Sequence, residues 1–304
     1  TGVWRRVLEA LQDGNMPPES EPRPDAAALR GVVEHLAVAV SRSTTPIQPS
    51  PQYKTAGIEI PHATADEPTL QRFDQQAAAK YLDDGAVAWV RTYGCITCHT
   101  SGNYMAERPG LTPVLGPPQE EVHKNFTDAV YDEPAYKGDF WFVWRALGLA
   151  EWDKHVSGKL SAATENALTE MFARQQDDGS WDVAERRIQI PHVISPFELA
   201  VQAARAVAAA PGWRENLEDE NLRRGVERLK TYFHGYKPRN DYELALVLRV
   251  DALLPGVVSA ELRQQSLAML RRRQQADGGW STRRMSDEKN WSVRFDPRLV
   301  DTLQ

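Results

Sequence analysis

Two short turns carry the same pattern 99 residues apart: Gln175-Gln176-Asp177-Asp178-Gly179-Ser180-Trp181 and Gln274-Gln275-Ala276-Asp277-Gly278-Gly279-Trp280. A fixed spacing between like motifs marks a repeat, and this one fits two helix-pair units of about 50 residues each. Helical apolar patterns surround the turns, at roughly 119–131, 138–152, 160–176, 196–210, 219–234, 240–253 and 259–275. In the third, Leu168, Met171, Phe172 and Gln175 follow the i, i+3, i+4, i+7 rule. No segment shows strong strand alternation, so the expected fold class is all-α. Each turn has a local logic. Its Asp-Gly pair ends a helix, with glycine free to turn left-handed. Its Gln amide can bond free helix-end groups, and its Trp can stack over the turn. The stretch from Arg228 to Asp241 has the position of a middle unit but not the motif.

The chemistry lies upstream. Gly94-Cys95-Ile96-Thr97-Cys98-His99-Thr100 contains C-x-x-C-H, the attachment pattern of a c-type haem. Two residues between the thiols let Cys95 and Cys98 reach one porphyrin edge as thioethers, and His99 is placed to ligate the iron. The chain has only 2 cysteines, both inside this motif. A zinc site would want a second Cys or His pair at ligand spacing, and no further cysteine exists. A thioredoxin-like redox pair would want a βαβ setting, whereas these flanks read as helix. A disulfide from Cys95 to Cys98 closes too short a loop to be an effective staple. Residues 69–93 form the expected helix that delivers the motif, with Leu82, Ala86, Trp89, Val90 and Tyr93 on one face. Arg108 to Pro118 reads as a proline-rich loop.

The first 42 residues read as two helices around a Met-Pro-Pro loop. Val3, Trp4, Val7, Leu8 and Leu11 form the stripe of the first. Asp25 caps the second, whose apolar face is Leu29, Val32, Val33, Leu36 and Val40. Between about 43 and 68, Pro46, Pro49, Pro51, Pro61 and Pro68 preclude a continuous helix and point to an extended linker.

The series Trp4, Val7, Leu8, Leu11, Gly14, Met16, Pro17, Pro18 resembles the C-terminal half of the cytochrome domains of large planctomycete-type proteins. In that family the Met is the distal iron ligand, which implies this role for Met16. Here the half with the Met precedes the half with the cysteines. Either the haem domain is circularly permuted, or residues 1–42 belong to an upstream cytochrome domain. Met105, His123, His62, His192 or an open sixth position are the other distal options.

The Q-x-D-G-x-W turns resemble the repeats of terpenoid cyclases and protein prenyltransferase β subunits, which fold as α/α toroids around a cavity. This resemblance covers residues 119–304. It implies a partial α/α toroid, since a closed one needs more helices, supplied by sequence or a partner outside this chain. The aromatic run Phe140-Trp141-Phe142-Trp144 fits either a core or the lining of a cavity for an apolar ligand. Cyclases of that type protonate with D-x-D-D, which this chain lacks.

The expected organisation is therefore a cytochrome c-like haem region at 1–118, with its linker, and a helical-repeat domain at 119–304. Hydrophobic residues at 41% and charged ones at 26% are ordinary for a globular chain, and the net charge of -6 disfavours a nucleic-acid partner. No apolar run is long enough to span a bilayer. The chain starts at Thr1 without a signal peptide, as a mature or truncated product would, and haem attachment of this type implies a periplasmic or otherwise extracytoplasmic location. The expected function is one-electron transfer by a monohaem c-type cytochrome, with no catalytic residues and with the repeats docking a redox partner or larger complex. The alternatives are a terpenoid cyclase-like enzyme with an accessory haem, and a haem enzyme or gas sensor with an open iron site.

Overall fold

The computed structural model describes residues 7–8, 11–12, 25–42, 57–58, 72–96, 100–131, 138–183 and 195–285. The described residues are mostly helical and contain no strand. The chain separates into two compact units, Thr1–Tyr53 and Lys54–Gln304, so the division falls inside the expected linker. In the first unit, α1 (Ala26–Arg42) begins where the sequence places it, because Asp25 Oδ1 accepts the amides of Ala27 and Ala28 at 2.9 and 2.8 Å.

The second unit opens with α2 (Gln75–Tyr93), whose start is set by Asp74 accepting from the Gln76 and Ala77 amides. There follow α3 (Ser101–Glu107), a 3-10 turn (Pro109–Leu111), α4 (Thr112–Leu115) and α5 (Glu120–Asp128). The stretch expected as an open loop is thus two helical turns. Pro109 and Pro113 stand in the first turn of their helices, where a missing N–H costs nothing, and Gly116 at φ 75° ends the second.

Three helical hairpins complete the unit: α6 (Phe140–Trp152) with α7 (Ala162–Ala173), α8 (Pro196–Ala209) with α9 (Glu220–Gly235), and α10 (Asp241–Leu253) with α11 (Ala260–Arg273). A π-helical turn, Asp153–Ser157, closes α6, and a short α12 (Thr282–Met285) follows α11. Every hairpin helix matches its expected pattern to within a few residues. The first helices of the hairpins pack side by side, α6 on α8 and α8 on α10, while α7 lies against α6 and α9, and α11 against α10. The first two of these packed helices, α6 and α8, carry the apolar load. Trp141, Phe142, Val143, Trp144, Ala146, Leu147, Leu149 and Ala150 of α6 are all buried, so the aromatic run is core. The alanines of α8 (Ala200, Ala203, Ala204, Ala206) are likewise buried and bring its neighbours close. At Gly148 a Cβ would lie 2.8 Å from both Met105 and Phe126, so glycine is what lets α3 and α5 press against α6. One apolar core runs from Ala86 on α2 to Val258 after α10.

The first Q-x-D-G-x-W turn works as its chemistry suggests. Gln175 Nε2 donates to the Gly179 carbonyl at 3.1 Å, and the Trp181 indole donates to the Met171 carbonyl at 2.8 Å. Gly179 holds φ 92°. The glycine sits beyond the helix end rather than at its cap: α7 stops at Ala173 and the turn then doubles back.

Candidate haem cleft

The motif begins where α2 stops. Gly94 takes φ 61°, a left-handed conformation that glycine adopts without steric cost, and its N–H donates to the Val90 carbonyl at 2.8 Å. The chain leaves the helix there and presents Cys95, which is half-exposed and in no disulfide. Ile96 is 1% exposed and pins the loop into the core. Ser101 Oγ donates to the Cys95 carbonyl at 2.5 Å, which ties the start of α3 to the first cysteine. Thr97, Cys98 and His99 lie outside the described residues, as do Met16, His62 and His192.

A cleft of about 590 Å³ runs between α2 and α3 and reaches Thr100, the residue after His99. Ala77, Tyr81 and Ala86 form one wall; Tyr104 and Leu111 belong to the other. Its size falls within the roughly 300–1,000 Å³ of clefts that hold cofactor-sized molecules. Large apolar side chains stand open to solvent at its mouth: Tyr81 is 71% exposed, Leu82 45% and Leu111 42%. Such a patch is costly unless something covers it. Lys80, Asp84, Glu107 and Arg108 also stand on the wall of the cleft, and Cys95 is not among the residues that line it.

Beneath the cleft lies a polar network that the sequence does not advertise. Arg108 is 2% exposed. Its Nε and Nη2 donate to Asp83 at 3.0 and 3.2 Å, and Nη1 donates to the Gly116 carbonyl at 2.9 Å. Tyr104 adds its hydroxyl to Asp83 at 2.8 Å and accepts the Gln119 amide at 2.8 Å. Burial, with the Asp83 carboxylate beside it, pushes the Tyr104 hydroxyl well above the usual tyrosine range. The pairing joins residues 25 apart in the chain and fixes α2, α3 and the turn after α4 in one arrangement. Glu107, which also lines the cleft, pairs with Arg205 of α8 at 3.0 Å, and Arg205 reaches Glu151 of α6 at 3.3 Å. The cleft is thereby wired to the hairpin array.

Two of the distal options lie among the described residues. Met105 is fully buried against Gly148 and does not line the cleft. His123 stacks on Trp152, ring centroids 4.2 Å apart, and burial pushes its pKa below the usual histidine value. It too is absent from the cleft wall.

A second titratable cluster sits in the array. Tyr242 donates to Glu198 Oε1 at 3.1 Å, while Glu198 Oε2 is buried with no partner among the described residues. Burial pushes the Glu198 carboxyl up to about 7. Its neighbour Glu243, 1% exposed, is held by Arg239 and by the Tyr236 hydroxyl at 3.0 Å. Among the described residues no helix is long and apolar enough to cross a membrane. No family model, curated protein or solved structure matches this chain.

Proposed function

We propose that this chain is an extracytoplasmic monohaem c-type cytochrome that transfers single electrons. The observation that carries the reading is the nearness in the chain of C-x-x-C-H to an apolar cleft: α2 ends at Gly94 and presents Cys95, and the cleft is lined by Thr100, the residue after His99. Cys95 and Cys98 would tether the porphyrin, and His99 would hold the iron. Bound in this way, haem supplies a reversible one-electron couple whose potential is set by its axial ligands and burial. The chain's own residues do the rest. Ile96 and the Ser101 hydroxyl hold the first cysteine in place. Tyr81, Leu82 and Leu111 shield one face from water, and the Asp83–Arg108–Tyr104 network keeps the walls rigid. Met16 is the distal ligand in this reading.

The hairpin array, read as an arc of an α/α toroid, serves as the platform on which the haem unit meets its redox partner. Glu107 and Arg205 supply the physical link between the two functions.

The test is expression in a host that matures c-type cytochromes, followed by a pyridine haemochrome spectrum and an intact mass. A covalent c-type spectrum and a mass increase of one haem are expected. Replacing Cys95 with serine should leave a single thioether and shift the haemochrome band. A protein that matures without haem, or holds it with both cysteines replaced, overturns the reading.

A further inference from the structure

Two hairpin helices begin with the same four-residue pattern and use it differently. Ser195-Pro196-Phe197-Glu198 opens α8, and Asn240-Asp241-Tyr242-Glu243 opens α10. A capping residue followed three places later by glutamate is the signature of a capping box. The cap accepts the glutamate's amide, and the carboxylate reaches back to a backbone N–H at the helix start. The first half is built in both helices. Ser195 Oγ accepts the Glu198 amide at 3.1 Å, and Asn240 Oδ1 accepts the Glu243 amide at 2.9 Å. Only α10 has the second half. Glu243 Oε2 accepts the Arg239 amide at 2.7 Å, one residue ahead of the cap, and the Arg239 side chain closes on the same carboxylate. In α8 the box stands open. Among the described residues the Ser195 amide has no acceptor. The Glu198 carboxyl has gone to the next hairpin instead, where Oε1 accepts the Tyr242 hydroxyl at 3.1 Å and Oε2 is buried without a partner.

An ionised carboxylate is poorly served in that position. A single neutral hydroxyl compensates it, and the Glu243 carboxylate opposes its charge. Tyr242 and Glu243 face it from α10, with Arg239 and, just past the end of α9, Tyr236 behind Glu243. Among the described residues no charged side chain of α6, α7 or α9 acts on it. We propose that Glu198 is a proton-operated latch between α8 and α10. With a proton it stays on Tyr242 and ties the two helices together. Without one it turns back to the Ser195 N–H, closes the box as Glu243 does, and releases the Tyr242 hydroxyl. The charge is better placed there, against a free N–H and the positive end of α8. Acid therefore tightens the seam between the second and third hairpins, and base loosens it. This inference does not depend on the haem reading.

The test is a titration of the full chain from about pH 4 to about pH 8.5, isotope-labelled at tyrosine rings and serine amides and followed by NMR. The Tyr242 ring signal is assigned by its loss in Tyr242→Phe. The Ser195 amide signal is assigned by its loss in Ser195→Thr, which keeps the cap. Both signals are expected to move with one shared midpoint, above the ordinary 4.5 and no higher than about 7, since closing the box relieves part of the charge. One pH unit above that midpoint, about ten chains are unlatched for each latched one. In Glu198→Gln both signals should keep their acid positions throughout. A Tyr242 signal that stays still, or that moves equally in Glu198→Gln, overturns the proposal. So does a Ser195 amide that stays still while Tyr242 moves, because Glu198 then ionises in place. Loss of helical circular dichroism over the same range would make the change a general unfolding, and likewise overturns it.

Discussion

Replacing Arg108 with leucine isolates what the network under the cleft contributes. The guanidinium is 2% exposed and gives two bonds to Asp83 and two to the carbonyls of Gly116 and Leu115. Leucine fills part of the volume but leaves Asp83 buried with only the Tyr104 hydroxyl and a long contact from Gln119 at 3.4 Å. Removing one partner of a buried pair costs about 3–5 kcal/mol, because the charge left behind is uncompensated. With a urea dependence of about 3 kcal/mol per molar, the unfolding midpoint should fall by about 1–1.7 M. The double variant Asp83→Leu, Arg108→Leu removes both charges and should recover much of the loss, since an apolar replacement of a whole buried pair is often close to neutral. Urea titrations of the three variants, followed by circular dichroism, supply the numbers. A loss below about 1 kcal/mol for Arg108→Leu, or a double variant as unstable as the sum of the two singles, would refute the reasoning.

The two turn glycines give a matched pair. Gly278→Ala pays only for a left-handed alanine, roughly 1–2 kcal/mol, whereas Gly179→Ala adds a clash with the Arg228 carbonyl and should cost roughly 1–3 kcal/mol more in thermal unfolding. Trp181→Ala should cost about 3–5 kcal/mol and Trp280→Ala clearly less, since only the first ring is buried. Glu198 titrates near 7 when folded against an ordinary 4.5, so the folded state keeps a proton that the unfolded chain releases between those values. Stability from this group is therefore present below pH 4.5 and lost as pH rises through 7, by roughly 3 kcal/mol, and Glu198→Gln should flatten that slope in denaturation measured across the range. In the haem-loaded protein, Met16→Ala should remove the red charge-transfer band of His/Met ligation and admit carbon monoxide to the reduced iron; an unchanged spectrum would assign the distal position to another group.

The helical hairpins were legible because their information is local. Leu168, Met171 and Phe172 repeat on one face, and Ser161, Ser195, Asp219, Asn240 and Ser259 each cap the helix that follows. The C-x-x-C-H motif stands out in the sequence for a similar reason, since its residues lie within five positions of one another. The walls of the cleft were not. Asp83 reads as one more charge on a polar helix until the fold brings Arg108 to it, and that pairing leaves no periodic trace. The turns at Pro109 and Pro113 were hidden because proline signals a break or a first helical position equally well, and only the neighbouring backbone decides. Trp181 and Trp280 show the limit most directly. Their turn motifs and bonds agree, and their environments differ through α9 and through Phe172, which packs on Trp181 where the second unit has Arg271.

That agreement has a bearing on how such a chain lengthens or shortens. Each Q-x-D-G-x-W turn satisfies its own amide, indole and carbonyl groups within about ten residues, before any neighbour arrives. A hairpin ending in this turn carries its own closure with it. Duplicating or deleting a whole unit would therefore leave no frayed backbone at the new junction, and only the outermost ring would change between wet and dry. The array can vary in span as a string of finished pieces, while the segment bearing Cys95 stays unaltered at its root.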